Sequence, residues 1–142
     1  YWSVLRNNPD PDKAIIYESQ TPDSMILNDP IPTKGFFQKC LGEDCFSYLL
    51  ACENGRTLYF SNEQELRKFI GFVDNLPEAV LIANTYGYIV DAGNVLSSSY
   101  KMDENHISLY LTKFTNSVTK ESFFIKINRQ TGKLEVKSNG FY

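Results

Sequence analysis

The sequence predicts an α+β fold of two layers, in which one main amphipathic helix packs on a curved antiparallel sheet. Two observations lead to this prediction. Residues 62–74 carry apolar side chains three and four positions apart, which is the spacing of one helical stripe. Most segments after residue 104 alternate apolar with polar side chains, as strands with one buried face do. A single helix covers only one face of a sheet, so two layers follow.

Residues 1–35 are predicted to form an irregular N-terminal arm, and residues 36–142 a single α+β domain. Five of the six prolines lie between residues 9 and 32. Each proline removes a backbone donor and disfavours helix at the residue before it. A short apolar run at residues 14–17 predicts one edge strand within the arm.

Residues 46–60, FSYLLACENGRTLYF, predict a β-hairpin. Two β-prone runs flank Asn54 and Gly55. This dipeptide is a strong hairpin signal, because both central residues of a type I′ turn need a positive φ.

The helix is predicted to begin at a capping box, in which Ser61 is the cap and the Gln64 side chain reaches back to it. Pro77 is predicted to end the helical region. The buried stripe of this helix is predicted to consist of Leu66, Phe69, Ile70 and Val73.

Only strands are predicted after Pro77. Residues 78–93 are expected to form one long strand or a tight pair of strands, and residues 105–114 another strand. Residues 122–142 predict a hairpin that turns at residues 130–132. The side chains expected to face the core are Ile107, Leu109, Leu111, Phe123, Ile125, Ile127, Leu134 and Val136.

This order of elements, a hairpin, one helix and then a strand meander, is similar to the helix-plus-curved-sheet plan of cystatin-like and NTF2-like domains. The resemblance is one of element order over residues 60–142. It implies the two-layer architecture but no single function, because that plan hosts enzymes, inhibitors and scaffolds.

Composition argues against several classes of partner. The 142 residues have a net charge of −3 with scattered Lys and Arg, so no nucleic-acid partner is predicted. No apolar run approaches the roughly 18 residues that span a bilayer, so no transmembrane segment is predicted. Glycines are isolated rather than grouped in a phosphate-binding loop, and no cofactor is predicted. Because the sequence begins at Tyr1, we expect a processed or trimmed chain, with a lipid anchor as one candidate upstream segment.

All three cysteines fall within thirteen residues, at Cys40, Cys45 and Cys52. Cys40 and Cys45 bracket a turn-like LGED, a spacing that allows a disulfide and favours an extracytoplasmic location, periplasmic or on the cell surface. In the cytoplasm, the alternative location, all three would be free thiols. A zinc site would need the single histidine, His106, as its fourth ligand from another element. A cysteine nucleophile would need the same histidine as its base. No metal site and no catalytic residue are predicted.

Tyr86, Tyr88 and Asp91 are the candidate binding residues. The two tyrosines flank Gly87, and tyrosines are enriched at protein interfaces because they combine apolar area with a hydroxyl group. The competing interpretation is a half-buried strand with a bulge at Gly87.

The absence of a convincing catalytic pattern favours a non-catalytic protein-binding domain with a protein partner, such as a bacterial inhibitor or immunity-type protein. Two alternatives stay open. One is an extracytoplasmic lipoprotein or ectodomain. The other is a small-ligand carrier or enzyme with a pocket between helix and sheet, against which a filled core would argue.

Overall fold

The computed structural model describes residues 2–6, 15–19, 32–37, 46–93 and 99–141. The chain divides into two compact units, Tyr1–Leu66 and Arg67–Tyr142, and each unit carries its own four-stranded antiparallel sheet. Strands account for 48% of the structure and helices for 16%. The predicted α+β fold, one main helix on one curved sheet in the cystatin- or NTF2-like order, is therefore wrong.

The sheet of the first unit has the strand order β2-β1-β3-β4. Its strands are β1 (Trp2–Arg6), β2 (Ile15–Glu18), β3 (Ser47–Glu53) and β4 (Arg56–Phe60). The predicted hairpin is confirmed, since Asn54 and Gly55 join β3 to β4 with φ values of 51° and 74°. Both β1 and β2 lie within residues 1–35, and β2 is an edge strand. The predicted boundary between an arm and a domain at residue 35 stays a prediction.

The sheet of the second unit has the order β5-β6-β7-β8. Its strands are β5 (Tyr100–Met102), β6 (His106–Phe114), β7 (Lys120–Asn128) and β8 (Leu134–Phe141). The predicted turn between β7 and β8 is confirmed, and Gly132 adopts a φ of 68° there.

The first helix, α1 (Glu63–Ile70), is shorter than the predicted helix because Gly71 adopts a φ of 59° and ends it. Its cap is Asn62 rather than Ser61. The Asn62 side chain accepts a hydrogen bond from the Glu65 amide at 2.9 Å, and the Glu65 carboxylate accepts one from the Ser61 amide at 3.2 Å. Phe69, predicted to be buried, is 37% exposed.

The second helix, α2 (Leu76–Asn84), occupies residues predicted to be a strand. Asn75 is its cap and accepts a hydrogen bond from the Glu78 amide at 3.0 Å, while the Glu78 carboxylate accepts one from the Asp74 amide at 2.8 Å. Pro77 lies in the first turn, where the missing N–H costs nothing. Pro77 therefore helps to begin a helix rather than to end one.

The core of the second unit lies between α2 and one face of the sheet, here called the inner face. The predicted inward positions Ile107, Leu109, Leu111, Ile125 and Ile127 are confirmed as buried, together with Val73, Ala79, Ile82 and Ala83. The opposite, outer face carries the alternate residues of β6 and β7, including Ser108, Tyr110, Phe124 and Lys126. Of the helices in the described ranges, none has the length and apolar character needed to cross a membrane.

Candidate binding surface

The predicted binding residues Tyr86, Tyr88 and Asp91 follow the end of α2. Ile89 exchanges backbone hydrogen bonds of 2.8 and 2.9 Å with Thr112 of β6, so this segment runs antiparallel beside β6 through an isolated bridge. Gly87 adopts a φ of 88°, a conformation that a residue with a side chain rarely adopts. The glycine turn and the bridge together fix the directions of the two tyrosines.

Tyr86 is 44% exposed and yet held in place. The Arg67 guanidinium lies 4.6 Å from the centroid of its ring, a cation–π contact. The Lys113 ammonium donates a hydrogen bond of 3.2 Å to the Tyr86 carbonyl oxygen. The side chain is therefore an ordered aromatic group at the surface.

Tyr88 lies against the core rather than in solvent. Its ring meets the Phe123 ring edge to face at 5.2 Å, and the Lys113 ammonium lies 5.0 Å from its centroid. Burial and the nearby charge of Glu121 raise the pKa of the Tyr88 hydroxyl. Lys113 therefore contacts both residues, Tyr86 at its carbonyl oxygen and Tyr88 at its ring.

Asp91 forms an ion pair with Lys120, in which the carboxylate oxygen and the ammonium are 2.8 Å apart. The Asp91 side chain is only 12% exposed and also accepts a hydrogen bond from the Gly93 amide. The Lys120 ammonium lies 5.4 Å from the centroid of the Phe114 ring. Asp91 therefore supports its loop, with its charge compensated by Lys120.

Sequence reasoning missed Lys113 and Lys120, and also Arg67. Each contact joins residues far apart in the sequence, such as Lys113 with Tyr86 and Lys120 with Asp91. No local pattern contains that information. Only the correct placement of α2 and of the bridge to Thr112 would have brought these residues to the tyrosines.

An open groove of about 480 Å³ lies on the outer face of the sheet. Its floor includes the rings of Tyr110 and Phe124, whose centroids are 5.2 Å apart, and its sides carry Lys101 and Lys126. Asp103 also lines it, and backbone hydrogen bonds from Asn105 and His106 hold the pKa of that carboxyl below its usual value. The groove offers two aromatic rings, inclined at 57° to each other, with ammonium groups beside them, which suits a carboxylate or an aromatic ring.

The structure describes only one of the three cysteines and so tests only part of the cysteine predictions. Cys40 and Cys45 lie outside the described residues, so their disulfide stays a prediction, whereas Cys52 of β3 is a free thiol. His106 begins β6 with its Nδ1 atom 3.8 Å from the Asp103 carboxylate. Within the described ranges, no three His, Cys, Asp or Glu side chains form a group that could hold a metal ion.

Comparisons of the chain with models of protein families, with curated proteins and with solved structures returned no match. The function is therefore inferred from the residues of the surface alone. What they provide is an exposed tyrosine ring that lies against an arginine, a lysine that contacts both tyrosine residues, and a separate groove lined by two aromatic rings.

Proposed function

We propose that this chain is a non-catalytic protein-binding domain of the inhibitor or immunity type. Its main contact surface, here called the Tyr86 surface, consists of Arg67, Tyr86, Tyr88 and Lys113. The observation that carries the proposal is the Tyr86 ring, which is 44% exposed although it lies against the Arg67 guanidinium. The backbone beneath it is held by the hydrogen bond from Lys113 to the Tyr86 carbonyl oxygen.

Order before binding is what makes Tyr86 suited to a protein partner. Most of the binding energy of an interface comes from a few residues, and Tyr, Trp and Arg are enriched among them. A side chain that is already held loses little conformational entropy when the partner arrives. Tyr86 and Arg67 thus combine the residue types and the order that such a contact needs.

Charge indicates the chemistry of the partner. Residues 67–142 carry nine Lys and Arg against seven Asp and Glu, although the whole chain is acidic. The Arg67 guanidinium lies over the Tyr86 ring, and the Lys113 ammonium lies at the Tyr86 carbonyl oxygen and 5.0 Å from the centroid of the Tyr88 ring. The partner surface should therefore present an apolar recess for the ring, with carboxylates around it.

The small-ligand alternative gains no support from the space between α2 and the sheet. Side chains fill that space, and the nine residues of the buried cluster have at most 3% of their surface exposed. A ligand pocket there would require the core to open.

The test is affinity capture from the source organism, read by mass spectrometry, with wild-type chain and variants as bait. Tyr86→Ala should reduce the captured partner at least about ten-fold, as the loss of a central contact residue does. Its melting temperature should stay near the wild-type value, because the ring is outside the core. Tyr88→Phe tests the Tyr88 hydroxyl and keeps the ring, whose complete removal would open the core beside Phe123.

Tyr100→Ala is the matched control, because Tyr100 is another exposed tyrosine, on β5, outside the Tyr86 surface. It should leave capture unchanged. If the partner bound the Tyr86→Ala variant with the same affinity as wild type, the Tyr86 surface would not be its binding site. A partner lost equally with both variants would show that general destabilisation, and not the Tyr86 surface, controls binding.

A further inference from the structure

The outer edge of β8 has no partner strand among the described residues. β8 is the last strand of its sheet and runs for eight residues, Leu134–Phe141. Residues 135–139 are all exposed, and Val136 leaves 42% of its surface in solvent. An edge of this length presents a row of backbone donors and acceptors that another strand could pair with.

The hydrogen bonds of the β7–β8 turn show which backbone groups point outward. The Asn128 amide donates to the Lys133 carbonyl oxygen at 2.9 Å, so the backbone of Asn128 faces β8 and these two residues stand at a hydrogen-bonding position of the ladder. The ladder then continues without a register shift as far as Phe123 and Ser138. Because hydrogen-bonded and non-hydrogen-bonded pairs alternate, the backbone amide and carbonyl groups of Glu135 and Lys137 bond to β7. The amide and carbonyl groups of Leu134, Val136 and Ser138 therefore point away from the sheet.

The side chains of this edge are complementary to a second copy of themselves. If two β8 strands meet antiparallel with Val136 opposite Val136, then Leu134 lies opposite Ser138 and Glu135 lies opposite Lys137. The outward-pointing groups would form about six backbone hydrogen bonds in this register. The two Glu–Lys pairs would occupy non-hydrogen-bonded positions, where side chains of facing strands are closest.

The charges of this edge also disfavour other registers and other partners. Lysines on an edge strand oppose pairing with a neutral strand, because their charges would lose water. Only a strand that places an acid opposite Lys137 and a base opposite Glu135 compensates both charges. β8 itself is such a strand. On the outer face, Lys137 of the second copy would then follow Lys126 and Glu135 in a row of alternating charge across the strands.

We propose that β8 pairs with β8 of a second copy of this chain, antiparallel about Val136. The product is a homodimer in which two four-stranded sheets become one sheet of eight strands. The contact is self-complementary, as a two-fold axis requires. The inference does not depend on the Tyr86 surface, which lies on the other side of β6.

The test is sedimentation equilibrium of the full chain from micromolar to millimolar concentration. Wild type should show a reversible dimer. Glu135→Lys and Lys137→Glu each replace two attractive pairs by two repulsive pairs, and each should raise the dissociation constant by about ten-fold or more. The double variant, Glu135→Lys with Lys137→Glu, restores opposite charges and should dimerise as wild type does.

Mixing the two single variants gives the sharpest outcome. One variant then supplies two lysines and the other two glutamates, so a one-to-one heterodimer should form where each variant alone is mostly monomeric. Lys101→Glu on β5, at the opposite edge of the sheet, is the matched control and should not affect the dimer. Circular dichroism checks that each variant is folded.

Two results would overturn the proposal. One is wild type that stays monomeric over the whole concentration range. The other is a dimer whose dissociation constant does not respond to the single charge reversals, because such a dimer would use another surface.

Discussion

The carboxylate of Asp103 accepts two backbone hydrogen bonds just before β6, from the Asn105 amide at 2.9 Å and the His106 amide at 2.8 Å. These bonds favour the ionised form and lower the pKa of Asp103 below its ordinary value of 3.8. The ionised group therefore stabilises the fold fully above that value, and the contribution is lost as the pH falls through the lower, folded-state pKa.

Asp103→Asn should keep the accepting oxygen and remove this part of the pH dependence. Urea unfolding between pH 2 and pH 7 measures it. Below pH 3.8, the ordinary pKa of Asp103, the free energy of unfolding of wild type should fall relative to that of the variant. Near neutral pH, the difference between the two free energies should be constant. Glu104→Gln removes a carboxyl group from the same turn and serves as the control. If Asp103→Asn showed the same acid loss as wild type, Asp103 would not be its source.

The three cysteines give a second prediction for single residues. Alkylation of the unfolded chain without reductant should modify one thiol, Cys52, if Cys40 and Cys45 form the predicted disulfide. Mass spectrometry of the intact chain counts the modified thiols, and a reduced sample serves as the control with three. Three modified thiols without reductant would remove both the disulfide and the argument for an extracytoplasmic location.

The helix ends show how a local pattern can be recognised and still be placed wrongly. The sequence predicts a capping box for α1, but Asn62, not Ser61, supplies the cap. The same kind of box, Asn75 with Glu78, begins α2, although the sequence predicts that Pro77, which lies within it, ends a helix. Proline is compatible with both interpretations, since it ends one helix and suits the first turn of the next.

The cap assignment predicts different costs for neighbouring side chains. Asn62→Ala should lower the free energy of unfolding by about 1 kcal/mol, the usual cost of removing a cap. Ser61→Ala should be nearly neutral, because Glu65 bonds to the Ser61 amide and not to its hydroxyl. Urea unfolding of both variants tests this, and a larger cost for Ser61→Ala would reverse the assignment.

Arg129 connects the segment before α2 to the β7–β8 turn. Its guanidinium donates to the carbonyl oxygens of Val73, Asp103 and Asp74 at 3.0, 3.0 and 3.2 Å, and it stacks 5.0 Å from the Phe72 ring. The Val73 amide donates in return to the Arg129 carbonyl oxygen at 2.7 Å. These bonds fix where α2 starts, and therefore where its apolar face meets the sheet.

Replacing Arg129 should therefore cost more than replacing its neighbours in the turn. Arg129→Ala should lower the free energy of unfolding by about 2–3 kcal/mol, because three carbonyl groups lose a charged donor. Arg129→Lys should recover little of this, since an ammonium group cannot reproduce the planar fork. Gln130→Ala, an exposed neighbour, should change the free energy by less than about 0.5 kcal/mol. Recovery by lysine would show that charge alone is what matters.

Over the whole molecule, the sequence predicts the hairpins and the buried faces of β6 and β7 but not the architecture. Alternation and the Asn54–Gly55 turn are local, and they were interpreted correctly. The apolar run of residues 79–83 has no polar side to reveal a helical period, because α2 is largely buried. The sequence therefore predicts a strand where α2 lies, and a prediction with one helix allows only one covered sheet.

The second unit contains a complete buried cluster, which predicts that it folds without the first. All nine members of the cluster lie between Val73 and Ile127, and the sheet that carries most of them is made by residues of the same unit. A fragment of residues 61–142, which contains all of α1, should therefore unfold cooperatively in urea and give a dispersed NMR spectrum.

A shorter fragment of residues 76–142 is the matched control for this last prediction. It keeps every strand of the sheet but lacks Val73, the Asn75 cap and two of the carbonyl groups that Arg129 binds. It should be far less stable than the longer fragment, because α2 loses its starting point. If the longer fragment showed no cooperative transition, the cluster would not suffice, and residues 1–60 would be needed for the second unit to fold.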